Sequence, residues 1–390
     1  MRYLCASAVL LAALSSPALA DDGKSDGLSA DERGITLESG ALELNLGGRL
    51  HLDAAVFDDP AAVQTGITDA AVRRARIELS GKIGKVIRFR VDREFAGNSK
   101  GWRNAWLSVE PVDGVEIKGG NFIVPFAMED LQSSNTIPFA ERSIATALTP
   151  GYGLGGAVTV NGKHWSASAG YVTDPLSNDE GRSVERGDGF VGRVTFAPLN
   201  ASGRIVHFGI GGERRTFAAT DAVRFSADAG STLAPTLMSS GSLRGMDNLT
   251  AWTGEAAASF GPVLIIGHVN TVKLNRPLAG DVNFSGQTLQ ASWLITGGRY
   301  TYAEKQGVFG GPDFGKRKSA LELAARYSRL DMDDGTVNRG IGRALSGGAN
   351  WYFTRNIRVM ANYTDSRVRF PGGAASLANK VGVLRLQLSY

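Results

Sequence analysis

The sequence predicts an all-β protein, a transmembrane antiparallel β-barrel of about sixteen strands. Three observations predict this fold. Apolar and polar residues alternate with a period of two along most of the chain, short connections alternate with long ones, and the chain ends on an aromatic residue, Tyr390. Strands with one apolar and one charged face, repeated along a whole chain, are the signature of a barrel with lipid outside and water inside.

The N-terminal residues predict export. Arg2 is followed by an apolar stretch from Leu4 to Leu14 and then by small residues up to Ala20. The stretch is shorter than the roughly 20 apolar residues of a spanning helix, so a secretory signal cleaved after Ala20 is favoured over a membrane anchor. We therefore expect three parts: a signal peptide at 1–20, a polar leader at 21–41, disordered or loosely attached in its first part, and the barrel at 42–390.

The residue types argue against several classes of site. The only cysteine, Cys5, falls inside the predicted signal, and the four histidines are far apart in the sequence. No group has the spacing of metal ligands, so we expect neither a metal nor another cofactor. After the signal, the longest purely aliphatic run is Val263 to Ile266, too short for a spanning helix. An exported chain of this kind is either soluble in the periplasm or a closed barrel.

Charged and apolar residues share the predicted strands but lie on opposite faces. From Ile87 to Asp92, for example, apolar residues alternate strictly with charged ones. A charged face needs water, whereas an apolar face needs lipid or a protein core. The predicted strands are Leu42 to Phe57, Ala71 to Leu79, Ile87 to Glu94, Gly101 to Pro111, Gly114 to Ile123, Gly153 to Asn161, His164 to Thr173, Gly189 to Ala197, Arg204 to Arg215, Leu249 to Phe260, Pro262 to Val272, Phe284 to Thr296, Ser319 to Leu330, Gly342 to Phe353, Ile357 to Phe370 and Lys380 to Tyr390.

The connections fit a chain that passes up and down through a membrane, because short turns alternate with long polar loops. Only Gly297 to Lys318 breaks this alternation. A seventeenth strand at Arg299 to Lys305 would put the short turn at Thr354 on the wrong side, so we expect an elaborated periplasmic connection instead. The aromatic residues next to short turns predict an interfacial girdle, although strands are rich in aromatics generally; they are Phe196, Phe260 and Phe353.

Arginine dominates the predicted lumen, interspersed with acids. The net charge of the whole chain is only +4, so any preference for anions must come from local clustering, since walls of one sign raise the counter-ion concentration by roughly tenfold or more. In the densest cluster, Arg73, Arg74 and Arg76 face Arg88 and Arg90 on the adjacent strand. This cluster is equally consistent with an anion guide and with a salt-bridged ladder that stiffens the wall without selecting the ion. The predicted lumen residues are Arg49, Arg74, Arg76, Arg88, Arg90, Arg193, Arg215, Arg326, Arg358 and Arg385, with Asp53, Glu78, Asp92, Glu94, Glu116, Glu255 and Glu322.

Several segments resemble one family, the phosphate-selective porins O and P. They are Gly119 to Ser143 (GGNFIVPFAMEDLQSSNTIPFAERS), Arg73 to Leu79 (RRARIEL), Leu323 to Asp331 (LAARYSRLD) and Asn350 to Tyr352 (NWY). The resemblance implies a sixteen-stranded homotrimeric barrel in the outer membrane of a Gram-negative bacterium. It also implies that the third long loop, Phe126 to Tyr152 and here called the third loop, folds inward, and that an arginine ladder guides anions.

The resemblance implies anion contacts at Arg73, Arg74, Ser133, Ser134 and Arg142, and a constriction aspartate at Asp92. The family's loop lysine corresponds to Asp130, whose carboxylate would repel phosphate. We therefore expect a broader, anion-favouring porin in contact with outer-membrane lipid, lipopolysaccharide and small anions, phosphate among them, and with no nucleic acid. The candidate pore residues are Arg73, Arg74, Arg76, Arg88, Arg90, Asp92, Asp130, Ser133, Ser134, Arg142 and Arg326.

Two alternatives stay open at this point: an outer-membrane barrel enzyme, and a soluble periplasmic β protein. We find no Ser, His and acidic grouping whose strand faces agree, which disfavours an enzyme. Gly151, Gly153 and Gly156 match the dinucleotide pattern G-x-G-x-x-G. That pattern must follow a strand and open a helix, whereas here a loop precedes it and a predicted strand follows.

Overall fold

Strands dominate the computed structural model, which describes residues 27–31, 34–97, 100–177, 187–373 and 376–390. The predicted signal, residues 1–20, lies outside these ranges. The strands are β1 (Gly27–Asp31), β2 (Gly34–Ser39), β3 (Leu42–Asp59), β4 (Gln64–Ile83), β5 (Ile87–Glu94), β6 (Gly101–Val112), β7 (Val115–Ile123), β8 (Tyr152–Gly162), β9 (Trp165–Thr173), β10 (Asp188–Ala201), β11 (Arg204–Thr216), β12 (Ala222–Val223), β13 (Ser226–Asp228), β14 (Thr236–Ser239), β15 (Leu243–Arg244), β16 (Asn248–Phe260), β17 (Val263–Asn275), β18 (Val282–Leu294), β19 (Arg299–Ala303), β20 (Val308–Asp313), β21 (Ala320–Asp333), β22 (Asn338–Tyr352), β23 (Ile357–Arg369) and β24 (Leu377–Ser389).

Helical structure in the described ranges consists of single turns. One is the helix α1 (Met128–Leu131), and the others are 3₁₀ turns at Ile144–Leu148, Glu304–Gln306 and Pro371–Gly373. Within the described ranges, no helix combines the length and the apolar character that crossing a membrane requires.

Sixteen strands, β3 to β11, β16 to β18 and β21 to β24, pair in antiparallel order and close into a barrel. Closure comes from β24, which pairs with β3 from Val381 opposite Phe57 to Ser389 opposite Arg49. Each barrel strand therefore has a neighbour on both sides, so the backbone donors and acceptors of the wall are satisfied without water. The predicted fold and strand number are confirmed.

The two faces of the wall have the polarity that the sequence predicts. Along β18, Leu289 and Trp293 are 58% and 51% exposed on the outside, while Thr288 and Ser292 are buried on the inside. A belt of exposed apolar side chains suits hydrocarbon and not water, which does not fit the soluble periplasmic alternative. The predicted girdle aromatics are likewise exposed on the outer face: Phe196, Phe260 and Phe353.

Short turns and the longer connection at 295–319 lie at one end of the barrel, and the other long connections lie at the opposite end. Between β6 and β7, Gly114 has a φ of +79°, a conformation that glycine adopts without strain. In an outer-membrane barrel the short turns face the periplasm. The connection predicted between the strands that end at Phe57 and begin at Ala71 is shorter than expected. β3 and β4 stay paired at Phe57 and Ile67, so only residues 60–63 separate the two strands.

Part of the predicted leader is an ordered β-hairpin. β1 pairs with β2, and β2 pairs with Leu42 to Leu46 at the start of β3. β24 pairs with a later part of β3, from Arg49 to Phe57, and Tyr390 exchanges backbone hydrogen bonds with Gly48. The stagger of the closed barrel thus leaves an open edge on β3, and β2 covers it. The expectation of a disordered or loosely attached leader is wrong for residues 27–31.

The segment from Gly297 to Lys318 forms a hairpin inside the barrel. β19 and β20 make a two-stranded sheet of their own, outside the barrel wall. From the wall, Arg193 donates hydrogen bonds to the carbonyls of Gln306 and Gly307, both at 2.7 Å. The expectation that this segment is an elaborated connection and not a seventeenth barrel strand is therefore confirmed, and the connection folds inward.

The outward face of β18 provides a test of the lipid assignment. Replacing Leu289, near the middle of the strand, by Arg places a charge in hydrocarbon and should lower the free energy of unfolding by about 2–4 kcal/mol. The same replacement at Asn283, on the same face near the outer rim, should cost only about 0–1 kcal/mol. Denaturant unfolding in lipid vesicles measures both, and equal costs would contradict the assignment.

Candidate functional site

The third loop leaves β7, crosses the lumen and returns to β8. Phe126, Phe139 and Leu148 are each at most 2% exposed, so the loop packs its own apolar side chains inside the barrel. Polar side chains of the wall donate hydrogen bonds to the backbone carbonyls of the loop, which would otherwise be buried without a partner. The donors and the carbonyls that they bind are Asn350 with Pro138 at 2.8 Å, Arg358 with Ile137 at 2.9 Å and Arg326 with Glu141 at 2.9 Å.

Glu141 ties the loop to the wall. Arg73 donates to its two carboxylate oxygens at 2.7 and 2.8 Å, and Arg385 donates to Oε1 at 2.9 Å. Asp53 holds Arg385 through hydrogen bonds of 2.6 and 2.7 Å. Burial alone raises the pKa of Glu141, but Arg73 and Arg385 outweigh burial and bring the pKa well below its usual range. The loop thus supplies a negative charge to two buried guanidinium groups.

A β-bulge explains how two consecutive arginines both reach the lumen. In the pairing of β3 with β4, Arg74 lies opposite His51, and the next pair is Leu52 with Val72. Arg73 is therefore an extra residue in β4. Arg73 and Arg74 are only 3% and 8% exposed. Strict alternation would send one of them into lipid, and the bulge avoids that cost.

Glu129 forms a second anchor for the loop. Its carboxylate accepts hydrogen bonds from the Ser143 amide at 2.6 Å and the Ser143 hydroxyl at 2.8 Å, and it lies 2.9 Å from His268 Nε2 on the wall. Burial raises the pKa of Glu129, but His268, Arg326 and the Ser143 amide outweigh burial and lower the pKa to about 2. The carboxylate therefore stays ionised at neutral pH although it is buried.

Arg142 and Asp130 fix the shape of the loop itself. Arg142 donates to the carbonyls of Glu129 and Gln132 at 2.8 and 2.7 Å, and to that of Asp130 at 3.2 Å. The carboxylate of Asp130 accepts the amide hydrogen of Gly151 at 3.1 Å. Both charged side chains border the lumen while bonding to loop backbone.

A cavity of about 360 Å³ lies between the loop and the wall strands. Seven of the side chains that line it are Arg or Lys, and three are Asp or Glu. The surface that a solute meets here is therefore mainly cationic. The cations are Arg49, Arg74, Arg76, Arg90, Arg103, Lys118 and Arg142, and the acids are Asp130, Glu141 and Asp228.

A ladder of salt bridges runs behind this cationic surface. Arg90 donates to Glu78 at 2.6 Å and to Asp92 at 2.8 Å, and Arg76 donates to Glu94 at 3.2 Å. The arginines line the cavity, whereas these three acids do not. The side chains of Asp92 and Glu94 are fully buried, but that of Arg90 is 31% exposed. Each of these arginines is thus held by an acid that does not itself line the cavity.

A comparison with protein-family models matches residues 44–390 to the phosphate-selective porins O and P. The chain belongs to this family. As a porin, it is an outer-membrane channel for the diffusion of small solutes. A comparison with curated protein sequences gives no match.

Solved structures of similar fold are outer-membrane proteins. An anion-selective porin from Comamonas acidovorans superposes with a TM-score of 0.61 at 14% identity, over 90% of this chain and 100% of that one. The outer-membrane protein OmpT of Vibrio cholerae gives 0.57 at 12% identity, over 91% and 99%. The outer-membrane channel DcaP of Acinetobacter baumannii gives 0.54 at 12% identity, over 90% and 98%. At these identities the likeness concerns the fold.

The porin brings most of the candidate pore residues together. Arg74, Arg76, Arg90, Asp130, Ser133, Ser134 and Arg142 line the cavity. The other four are placed elsewhere: Arg73 at Glu141, Asp92 behind the arginines, Arg326 on the loop backbone, and Arg88 near the periplasmic turns, 2.7 Å from Glu110.

Sequence reasoning missed several residues that shape the cavity of this porin. Glu141, Arg103, Trp106, Lys118 and Tyr152 all line it. Strand alternation alone places Trp106 and Lys118 inward, so that signal was available for both. Arg103 reaches the lumen because of a second bulge, between β5 and β6, which alternation does not reveal.

Replacing Glu141 by Gln tests the clasp between loop and wall. The change removes the counter-charge that Glu141 supplies to the buried Arg73, while Arg385 keeps Asp53. It should cost about 3–5 kcal/mol of stability, with larger and noisier single-channel currents. Glu43→Gln is the control, since its 3.1 Å pair with Lys82 is largely exposed and worth about 0–1 kcal/mol. Unfolding and bilayer recordings measure both effects, and matching results for the two variants would argue against the clasp.

The low pKa of Glu129 predicts the pH range over which its anchor acts. Because the folded value of about 2 lies below the ordinary 4.5, the stabilisation is complete above pH 4.5 and is lost as the pH falls towards 2. The unfolding temperature should therefore stay level from about pH 7 to 5 and fall below that range. Glu129→Gln should show a smaller fall, and an equal fall in both proteins would refute the role of Glu129.

Proposed function

We propose that this porin favours anions and has broad rather than phosphate-specific selectivity. The observation that carries the proposal is the layering of charge at the constriction. Guanidinium groups border the cavity, whereas Glu78, Asp92 and Glu94, which pair with them, do not line it. A narrow passage with low-dielectric walls of one sign concentrates counter-ions by roughly tenfold or more, so the nearest charges decide the preference.

The acids at the cavity support broad selectivity. Asp130, Glu141 and Asp228 border the same space as the cations. A phosphate ion carries more charge than chloride, so each carboxylate offsets more of the attraction that the cations exert on it. The resulting field still attracts anions, but it does not provide a dedicated phosphate cradle.

The pore assignment includes the residues named from the sequence. We assign the anion path to Arg74, Arg76, Arg90, Ser133 and Ser134, and give supporting roles to the rest. These are Arg73, Asp92 and Arg326, which hold the wall and the loop, Asp130 and Arg142, which shape the loop at the cavity, and Arg88 near the periplasmic exit.

The proposed setting is a homotrimer in the outer membrane of a Gram-negative bacterium, with the signal peptide removed after Ala20. Family membership supports the trimer, and one similar structure, OmpT of Vibrio cholerae, is a trimer form. The outward aromatic and aliphatic belt supports contact with lipid and lipopolysaccharide. The leader from residue 21, the hairpin included, then begins the mature chain.

A catalytic function has weaker support. Ser143, Glu129 and His268 meet in the lumen, but the serine hydroxyl donates to the carboxylate. A nucleophilic serine instead needs its hydroxyl bonded to the imidazole, with the acid on the far ring nitrogen. The group reads as a loop anchor, and we propose a channel rather than an enzyme.

Reversal potentials in a potassium chloride gradient across a planar bilayer test the proposal. The porin should pass chloride in preference to potassium, and phosphate should have no strong advantage over chloride. Arg74→Ala with Arg90→Ala removes two cavity cations and leaves Glu78 and Asp92 less compensated, so anion preference should drop severalfold. Lys273→Ala, on the outer rim, is the control. Unchanged selectivity in the double variant would reduce these arginines to scaffolding, and strong phosphate preference would exclude broad selectivity.

A further inference from the structure

Three arginines lie side by side on the outward face of the barrel, near the rim opposite the short turns. Arg329 of β21 is the register partner of Arg343 of β22, and Arg343 is in turn the partner of Arg367 of β23. The same face carries the exposed Leu345 and Tyr363. Residues opposite each other on adjacent strands have Cα atoms about 4.5–5.5 Å apart. These three arginines therefore form one continuous row, here called the arginine row.

The arginine row lies at the outer edge of the apolar belt. On β22 the outward positions between Arg343 and the girdle residue Phe353 carry no charge; they are Leu345, Gly347, Ala349 and Trp351. Ten residues at about 3.3 Å each, on a strand tilted by about 40°, span about 25 Å along the membrane normal, the height of the apolar band of such barrels. The row is thus expected where the hydrocarbon gives way to the head groups of the outer leaflet.

Acids compensate the arginine row only in part. Arg329 donates to Asp331 at 2.7 Å, and Arg367 lies 3.6 Å from Asp365. Within the described ranges, the exposed side chain of Arg343, in the middle of the row, has neither an ion pair nor a hydrogen bond. Like charges directly opposite each other destabilise a sheet, so an anion from outside the protein would stabilise the row at its centre.

Two more cations border the arginine row on the same face. Arg369 is exposed two residues beyond Arg367, towards the rim, and the exposed Lys380 of β24 is the register partner of Asp365. The outward patch therefore holds more cations than acids. Guanidinium groups bind phosphate through pairs of N–H donors, and three neighbouring guanidinium groups suit a phosphate better than any single one.

Arg214 of β11 provides a contrast. It also faces outward near the same rim, but its register partners are Phe190 and Thr250. A lone arginine at this height extends into the head groups at little cost and needs no particular ligand. The arginine row differs from Arg214 in its adjacent guanidinium groups, and not in the presence of a cation at the rim.

We propose that the arginine row binds a phosphate group of lipopolysaccharide, the amphiphile of the outer leaflet in a Gram-negative outer membrane. A lipid fits better than a free ion, because the row borders outward apolar side chains, Leu345 and Tyr363 among them, that acyl chains can cover. The phosphate pairs with Arg343 and its two neighbours. The proposal rests on the outer-membrane setting proposed above and does not depend on which ion the pore prefers.

Native mass spectrometry of the refolded porin in detergent tests the site. Purified lipid A is the probe, and a chelator removes the divalent cations that could bridge its phosphates to Asp331 and Asp365. Wild-type porin should bind lipid A about tenfold more tightly than lipid A whose phosphates have been removed, a ratio that charge-assisted hydrogen bonds supply. Equal binding of the two lipids would overturn the proposal.

Variants of the outward face locate the effect. Arg343→Ala combined with Arg367→Ala should weaken lipid A binding about tenfold, whereas the matched control Arg214→Ala should bind as the wild type does. Unchanged binding in the double variant, or an equal loss in Arg214→Ala, would overturn the role of the arginine row. If the double variant fails to fold, the wild-type comparison of the two lipids decides.

Two further outcomes would assign the arginine row to another occupant and overturn the proposal. One is displacement of lipid A by an equal concentration of inorganic phosphate, which would make the free ion the ligand. The other is loss of the oligomer in the double variant with unchanged lipid A binding, which would make the row a contact with a second copy. Reversal potentials test the anion-favouring channel separately, so failure of that proposal is distinguishable from failure of this one.

Discussion

The ion pairs that Glu141 makes with Arg73 and Arg385 hold the central feature of the molecule, a loop folded into a barrel. A buried guanidinium group without a counter-charge costs several kcal/mol, and so does a buried carboxylate. The carboxylate of the loop and the guanidinium groups of the wall offset each other's desolvation cost, and Arg385 is held by Asp53 as well. The third loop therefore has one strongly preferred position, and the cavity between loop and wall has a defined shape.

The same reasoning explains how one wall is both stiff and cationic. The acids of β4 and β5 neutralise part of the arginine charge and fix the side chains, but they do not line the cavity that the solute enters. A salt-bridged ladder and an anion guide are thus two aspects of one arrangement.

The sequence predicted the parts of the fold that follow from a period of two: the sixteen strands, the outward Phe196, Phe260 and Phe353, and an unusual segment from Gly297 to Lys318. It did not predict that residues 27–31 would form a strand, since that depends on the stagger at which the barrel closes. It also could not place Arg103, because a bulge shifts the faces locally. Glu141 was missed because its partners come from distant strands.

Thiol modification at the constriction tests most directly whether the third loop narrows an anion-favouring pore. Ser133 lines the cavity and is exposed to it, and Cys5 is the only natural cysteine. With Ser133→Cys in a planar bilayer, charged methanethiosulfonate reagents should lower the single-channel current, and the anionic reagent should react roughly tenfold faster than the cationic one. A current that neither reagent changes, or faster reaction with the cationic reagent, would contradict this structure of the pore.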